Sequence, residues 1–284
     1  MCPLKREINI CTLLEEDSIS PLFSGTEWAG TRVWNSALEG VNYLVDKEIF
    51  DKVRKTKRRS SGGLTTREDF GVNVIELGAG LAVPGLTAGV MNEEYEKLHP
   101  QAKDWCVVVS DMETITKQME GNVKSNFGEG AKVIAKTLDW SVAGLNELIG
   151  SIPDEVKSLQ INGEIIFDVI LSTDCVYAPL YGKSYIPLSE TIIHMMTINP
   201  NAISVNVVER RNQDEVEIFV DLMEKSGVVW KSETVSIDKY SFEKSKEMEG
   251  EEGLMNMNEN WANEDGEGTG IIEIFVFWGN GWKK

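Results

Sequence analysis

Residue types able to do chemistry gather at three places. The first is the run Val74-Ile75-Glu76-Leu77-Gly78-Ala79-Gly80, followed by Pro84, Gly85 and Leu86. An apolar segment enters a glycine turn and leaves into a helix, and glycines there let the backbone approach a ligand closely. A dinucleotide site would want Gly-x-Gly-x-x-Gly, with the pyrophosphate on the helix N-terminus. Here the third glycine falls late, at Gly85, and Glu76 stands just before the turn. A carboxylate in that place repels a pyrophosphate but can order the turn around a cationic amino-acid ligand. The second place is Asp111, which closes the apolar run Val107-Val108-Val109-Ser110 and could accept two hydroxyl hydrogen bonds or cap the next helix. The third is Leu171-Ser172-Thr173-Asp174-Cys175-Val176-Tyr177, where a carboxylate again follows an apolar run directly. Glu209, Arg210 and Arg211 follow the next such run and would either shape the mouth of a site or form surface salt bridges.

These residues need a scaffold that delivers strand ends to one edge. Short apolar runs at 72–77, 105–110, 133–136, 165–172 and 202–208 alternate with helical patterns starting at 86 and spanning 112–127, 187–197 and 214–225. That alternation predicts a doubly wound α/β fold: a mostly parallel seven-stranded sheet, helices on both faces, and ligands at the carboxyl ends of the strands. Upstream, Trp34, Leu38, Val41, Leu44 and Val45 recur at helical spacing within 30–50. The basic stretch 52–63 reads as a solvated helix end plus loop. Near the C-terminus, 228–230 and 233–237 are two short strand candidates and 271–278 a strong one, predicting an antiparallel edge hairpin. Between them 244–270 is acidic and rich in Gly, Asn and Glu, a flexible insertion too poor in apolar residues to pack. The expected organisation is a lead-in over 1–29 and a single domain over 30–284.

Composition narrows the function. The net charge of −18 disfavours nucleic acid, whose phosphates need a basic face, and favours encounter with basic partners. Acidity of this kind also simply serves solubility. Four separated cysteines and two histidines offer no clustered ligand set, so no metal is expected. Lone cysteines suit a reducing compartment, and the first 20 residues lack a long apolar run, so neither a signal peptide nor a membrane span is expected. The expected location is cytoplasmic, with the nucleus as the alternative.

Glu76-Leu77-Gly78-Ala79-Gly80 with Pro84-Gly85-Leu86 resembles motif I of class I S-adenosylmethionine methyltransferases. Asp111 matches the acidic residue that, in that family, holds the ribose hydroxyls. The interval of 35 positions from Glu76 to Asp111 exceeds the usual spacing, which an insertion over 92–104 would explain. Thr31-Arg32-Val33-Trp34, Leu138-Asp139-Trp140 and the Asp174-x-x-Tyr177 element together resemble the small protein-lysine methyltransferases of methyltransferase family 16. Ala82 departs from the pattern, standing where a third motif glycine is common. The resemblance implies S-adenosylmethionine as cofactor, held by Trp34, Glu76, Gly78, Gly80, Asp111, Trp140 and Thr173, with Asp174 and Tyr177 as catalytic residues. It implies a protein substrate presenting a lysine, on a basic or lysine-bearing exposed segment, and no nucleic acid or membrane partner. Trp34, Trp140 and Tyr177 are equally the aromatics that fill a core. The competing functions are transfer to another acceptor (an N-terminus, a histidine or a small amine), a catalytically silent binding module with the same fold, and a nicotinamide oxidoreductase.

Overall fold

The computed structural model describes residues 6–11, 30–31, 33–60, 71–129, 131–153, 160–161, 164–211, 214–236 and 271–282. Most of the lead-in and all of the acidic stretch 244–270 lie outside them. Seven strands form one sheet: β1 (Val74–Leu77), β2 (Val107–Asp111), β3 (Val133–Thr137), β4 (Val169–Thr173), β5 (Ile203–Glu209), β6 (Val229–Ser236) and β7 (Ile271–Trp278). Their spatial order is β3-β2-β1-β4-β5-β7-β6. The pairs among β1 to β5 are parallel, and β7 runs antiparallel between β5 and β6. The order reverses between β1 and β4, the place where an open α/β sheet parts its helices and leaves a crevice.

Eight helices are described: α1 (Asn35–Asp46), α2 (Ile49–Ser60), α3 (Val83–Leu98), α4 (Glu113–Phe127), α5 (Val142–Gly150), α6 (Ala178–Tyr181), α7 (Tyr185–Ile198) and α8 (Glu215–Lys225). The sheet is apolar on both faces because its strands alternate sides with period two. Val74, Val107, Val109, Val205 and Val207 pack into one cluster with Leu44, Phe50, Leu86 and Met119. Ile75, Leu77, Val108, Phe275 and Phe277 pack into the other with Leu145, Leu188 and Phe219. Burying each such side chain contributes about 1.5–3 kcal/mol, so two filled faces hold the strand ends in fixed register. Phe219 and Phe277 meet edge to face, with centroids 6.0 Å apart. None of the described helices is long and apolar enough to cross a membrane.

Local chemistry sets the helix ends, and several differ from expectation. The expected helix over 30–50 is α1 followed by a break at Lys47 and Glu48, the latter at φ +51°, and the basic stretch continues as α2 to Ser60. Helix α3 runs to Leu98, so much of the expected 92–104 insertion is a longer helix. The β4 strand starts at Val169. Glu164–Ile165 pairs instead with Gln160–Ile161 in a separate two-stranded ribbon. The two expected pieces near 228–237 are one eight-residue strand, β6. As the edge strand it pairs only with β7, so Lys231 and Ser232 can face solvent without breaking the ladder.

Candidate active site

The glycine turn after β1 sits where the sheet order reverses. Gly78 and Gly80 have φ +62° and +51°, in the left-handed region that glycine enters without a Cβ penalty. A Cβ on Gly78 would stand 2.6 Å from Cys175 Sγ and 3.0 Å from Trp140 Cζ2. Ala82 also adopts φ +64°, so the backbone keeps the conformation of a glycine there despite the side chain.

Two carboxylates hold this turn from different sides. Asp111, at the end of β2, accepts from Gly80 N at 2.8 Å and from Met112 N at 2.7 Å. Burial pushes its pKa above the usual carboxylate range, and the two backbone N–H groups pull it back down. Each carboxylate oxygen retains a lone pair for a further donor. Glu76 shares its strand face with Val74 and lies fully buried beneath the turn. Its Oε2 accepts from Gly85 N at 2.8 Å, while Oε1 has no partner among the described residues. Burial, with a smaller contribution from the charge of Asp111, pushes its pKa up to about 8, so the carboxyl is mostly protonated at neutral pH.

Beside the turn lies a cavity of about 320 Å3, lined by Trp34 and Ala37 of α1, the 78–83 turn, Asp111, Met112, Leu138, Trp140, Thr173, Asp174, Cys175, Leu180 and Tyr181. Of the nine expected site residues, Trp34, Gly78, Gly80, Asp111, Trp140, Thr173 and Asp174 line it. Glu76 does not: it supports the turn from below through its bond to Gly85 N. Tyr177 does not line it either. Its ring packs over the Arg211 guanidinium, 5.0 Å from the ring centroid, at the start of α6.

Asp174 lies on the cavity wall. It holds φ +57°, costly for a residue with a side chain, and its N–H donates to Val207 O at 2.7 Å. Its carboxylate is already engaged: Oδ1 accepts from Arg211 Nη1 at 2.8 Å and from Glu209 N at 3.2 Å, and Oδ2 accepts from Arg211 Nη2. Arg211 also pairs with Glu209 at 2.6 Å and lies 5.5 Å from the Trp34 ring centroid. Burial lowers the Arg211 pKa, but its bonds to Asp174 and the charge of Glu209 outweigh that and raise it. Of about four acceptor sites on a carboxylate, three are taken and one on Oδ2 remains.

Sequence reasoning missed Cys175, Leu180 and Tyr181 as lining residues and the Arg211–Asp174 pair. Tyr181 had a signal, because it follows Tyr177 by one helical turn. Burial raises the Tyr181 and Cys175 pKa values well above ordinary, so both stay neutral.

A glycine turn, a carboxylate with free acceptor sites and the Trp140 ring meet in one cleft. With the strand order β3-β2-β1-β4-β5-β7-β6, this defines an S-adenosylmethionine-dependent methyltransferase. Residues 22–226 match the lysine methyltransferase family, and the chain belongs to that family. It is 28% identical over 155 residues to Secreted RxLR effector protein 48 of Plasmopara viticola, spanning 52% of this chain and 68% of that protein. Among solved structures, it resembles precorrin-6y C5,15-methyltransferase of Geobacter metallireducens at TM-score 0.43 and 12% identity, covering 74% of this chain and 81% of that one. It also resembles an O-methyltransferase family protein of Burkholderia thailandensis at TM-score 0.43 and 11% identity, covering 92% and 68% respectively.

Proposed function

We propose that the chain methylates a lysine side chain of another protein, and that Asp111, Gly78, Gly80, Trp34, Trp140 and Thr173 hold the cofactor while Asp174 meets the acceptor. The observation that carries this is the position of Asp174 on the same cavity wall as the glycine turn, one strand away. Bound S-adenosylmethionine supplies a methyl group activated on a sulfonium. The chain's own residues bind and orient, since a displacement needs the attacking nitrogen aligned with the methyl carbon. An amine has an ordinary pKa of about 10.4 and must be neutral to attack. Leu180, Tyr181, Cys175 and Ala37 give the cavity neutral, largely apolar walls that disfavour the ammonium form. The last acceptor site on Asp174 Oδ2 and the Thr173 carbonyl are the groups that would orient the amine. The family's description and the net charge of −18, which draws basic segments, support a lysine on a protein.

The test is transfer of tritium from labelled S-adenosylmethionine to proteins of a dialysed lysate, followed by acid hydrolysis and amino-acid analysis. The reading requires label in methylated lysine. Label confined to histidine, to N-terminal residues or to small amines would replace lysine as acceptor, and cofactor binding without any transfer would make the chain a silent module.

A further inference from the structure

We propose that Arg211 is a positioning residue that neutralises Asp174 and thereby sets the pH at which the acceptor amine becomes a nucleophile; this rests on the lysine reading above. Asp174 and Glu209 stand within hydrogen-bond reach of one guanidinium. Their side chains are 7% and 16% exposed and that of Arg211 is 10% exposed, so water screens the cluster poorly. Arg210 sends its charge elsewhere, to Glu217 and Glu273.

The acceptor must shed its proton to solvent before nitrogen forms a bond to the methyl carbon and the carbon–sulfur bond breaks. A bare Asp174 beside it would favour the ammonium form and raise its pKa. Two carboxylates against one guanidinium leave the cluster at net −1, which attracts a cation without the full pull of two anions. Other groups facing this cluster and the adjoining cavity are neutral, already held or, as with the exposed carboxylate of Asp139 on the cavity wall, screened by water. Tyr181 comes from α6 and Tyr177 from the residue before it, Cys175 from the β4 end, Asp111 from β2 and Glu76 from β1, and Glu215 of α8 accepts from Ala178 N. Trp34 and Tyr177 each pack against the guanidinium, which fixes the planar fork on the carboxylate in a way an ammonium would not.

The experiment uses the full chain, tritiated S-adenosylmethionine and dialysed lysate, and follows methyl-lysine formation from acid to alkaline pH. Arg211→Gln is expected to move the alkaline midpoint of the rate profile up by about one unit, the scale of one nearby charge. Its activity would then fall roughly tenfold at neutral pH and recover at high pH. Arg211→Lys should keep the midpoint near that of the parent. Glu209→Gln should move it the other way, because it removes a negative charge. Cofactor affinity by calorimetry and the melting temperature are followed alongside. A rate loss in Arg211→Gln that is equal at every pH would overturn the proposal and leave the arginine a structural role only. Should Arg211→Gln fail to fold, the sign of the Glu209→Gln shift decides. Absence of label from lysine with the parent chain would overturn the lysine reading itself, a failure visible before any variant is made.

Discussion

Replacing Glu76 with Gln should make the protein's stability respond to pH in a way that isolates one buried carboxyl. Glu76 is fully buried, and burial lifts its pKa from 4.5 to about 8. A folded-state pKa above the unfolded one means the folded state holds the proton more tightly. The stabilisation this gives is fully present below pH 4.5 and is lost as pH rises toward 8. Relative to a group that does not titrate, the parent chain therefore loses about 3 kcal/mol between about pH 4.5 and about pH 7. Gln keeps an acceptor for Gly85 N but places an amide NH2 where Oε1 has no partner, a pH-independent cost of about 1–3 kcal/mol. The two stability curves should thus converge or cross, with the variant gaining on the parent as pH rises. Urea unfolding without cofactor, read by tryptophan fluorescence at several pH values, gives the difference directly. A difference that stays constant from acid to neutral pH would refute the reasoning, since it would mean Glu76 is ionised or solvated in the folded protein.

Two further substitutions probe the turn and the frame beneath it. Gly78→Ala forces a side chain to φ +62° and sets a Cβ 2.6 Å from Cys175 Sγ, so calorimetry should show at least about tenfold weaker S-adenosylmethionine binding; unchanged affinity would contradict the role of the turn. Asp168→Ala removes the buried partner of Lys57, 2.5 Å away, and of Asn73 N, at 2.8 Å. It should cost about 3 kcal/mol in urea unfolding while leaving cofactor stoichiometry intact, and a loss under about 1 kcal/mol would show the pair to be dispensable.

The parts of the fold that sequence made legible are those whose residues answer to one local rule. The β7 strand was readable at both ends because Ile271 to Trp278 is nearly all apolar and faces clusters on both sides. The glycine turn was readable because only glycine tolerates its backbone cheaply. By contrast, Lys231 and Ser232 split β6 into two apparent pieces, since an edge strand need not be apolar. The direction of Glu76 was present in the period-two alternation that puts it on the face of Val74, but a motif-based reading treats it as a ligand. The grip of Arg211 on Asp174 spans 37 residues of chain and depends on β4 and β5 lying side by side. No local pattern encodes that contact, and so the sequence did not show that the carboxylate expected to be catalytic is held by three hydrogen bonds.

Calorimetric titration of the full chain with S-adenosylmethionine, beside Asp111→Ala, tests the central claim most directly. Asp111 accepts from Gly80 N, and its remaining acceptor sites face the cleft. Saturable binding to one site is expected for the parent chain. A loss of roughly thirtyfold or more is expected for the variant, the scale of two hydrogen bonds at about 1 kcal/mol each. No saturable binding to the folded parent chain, or equal binding by both proteins, would contradict the account.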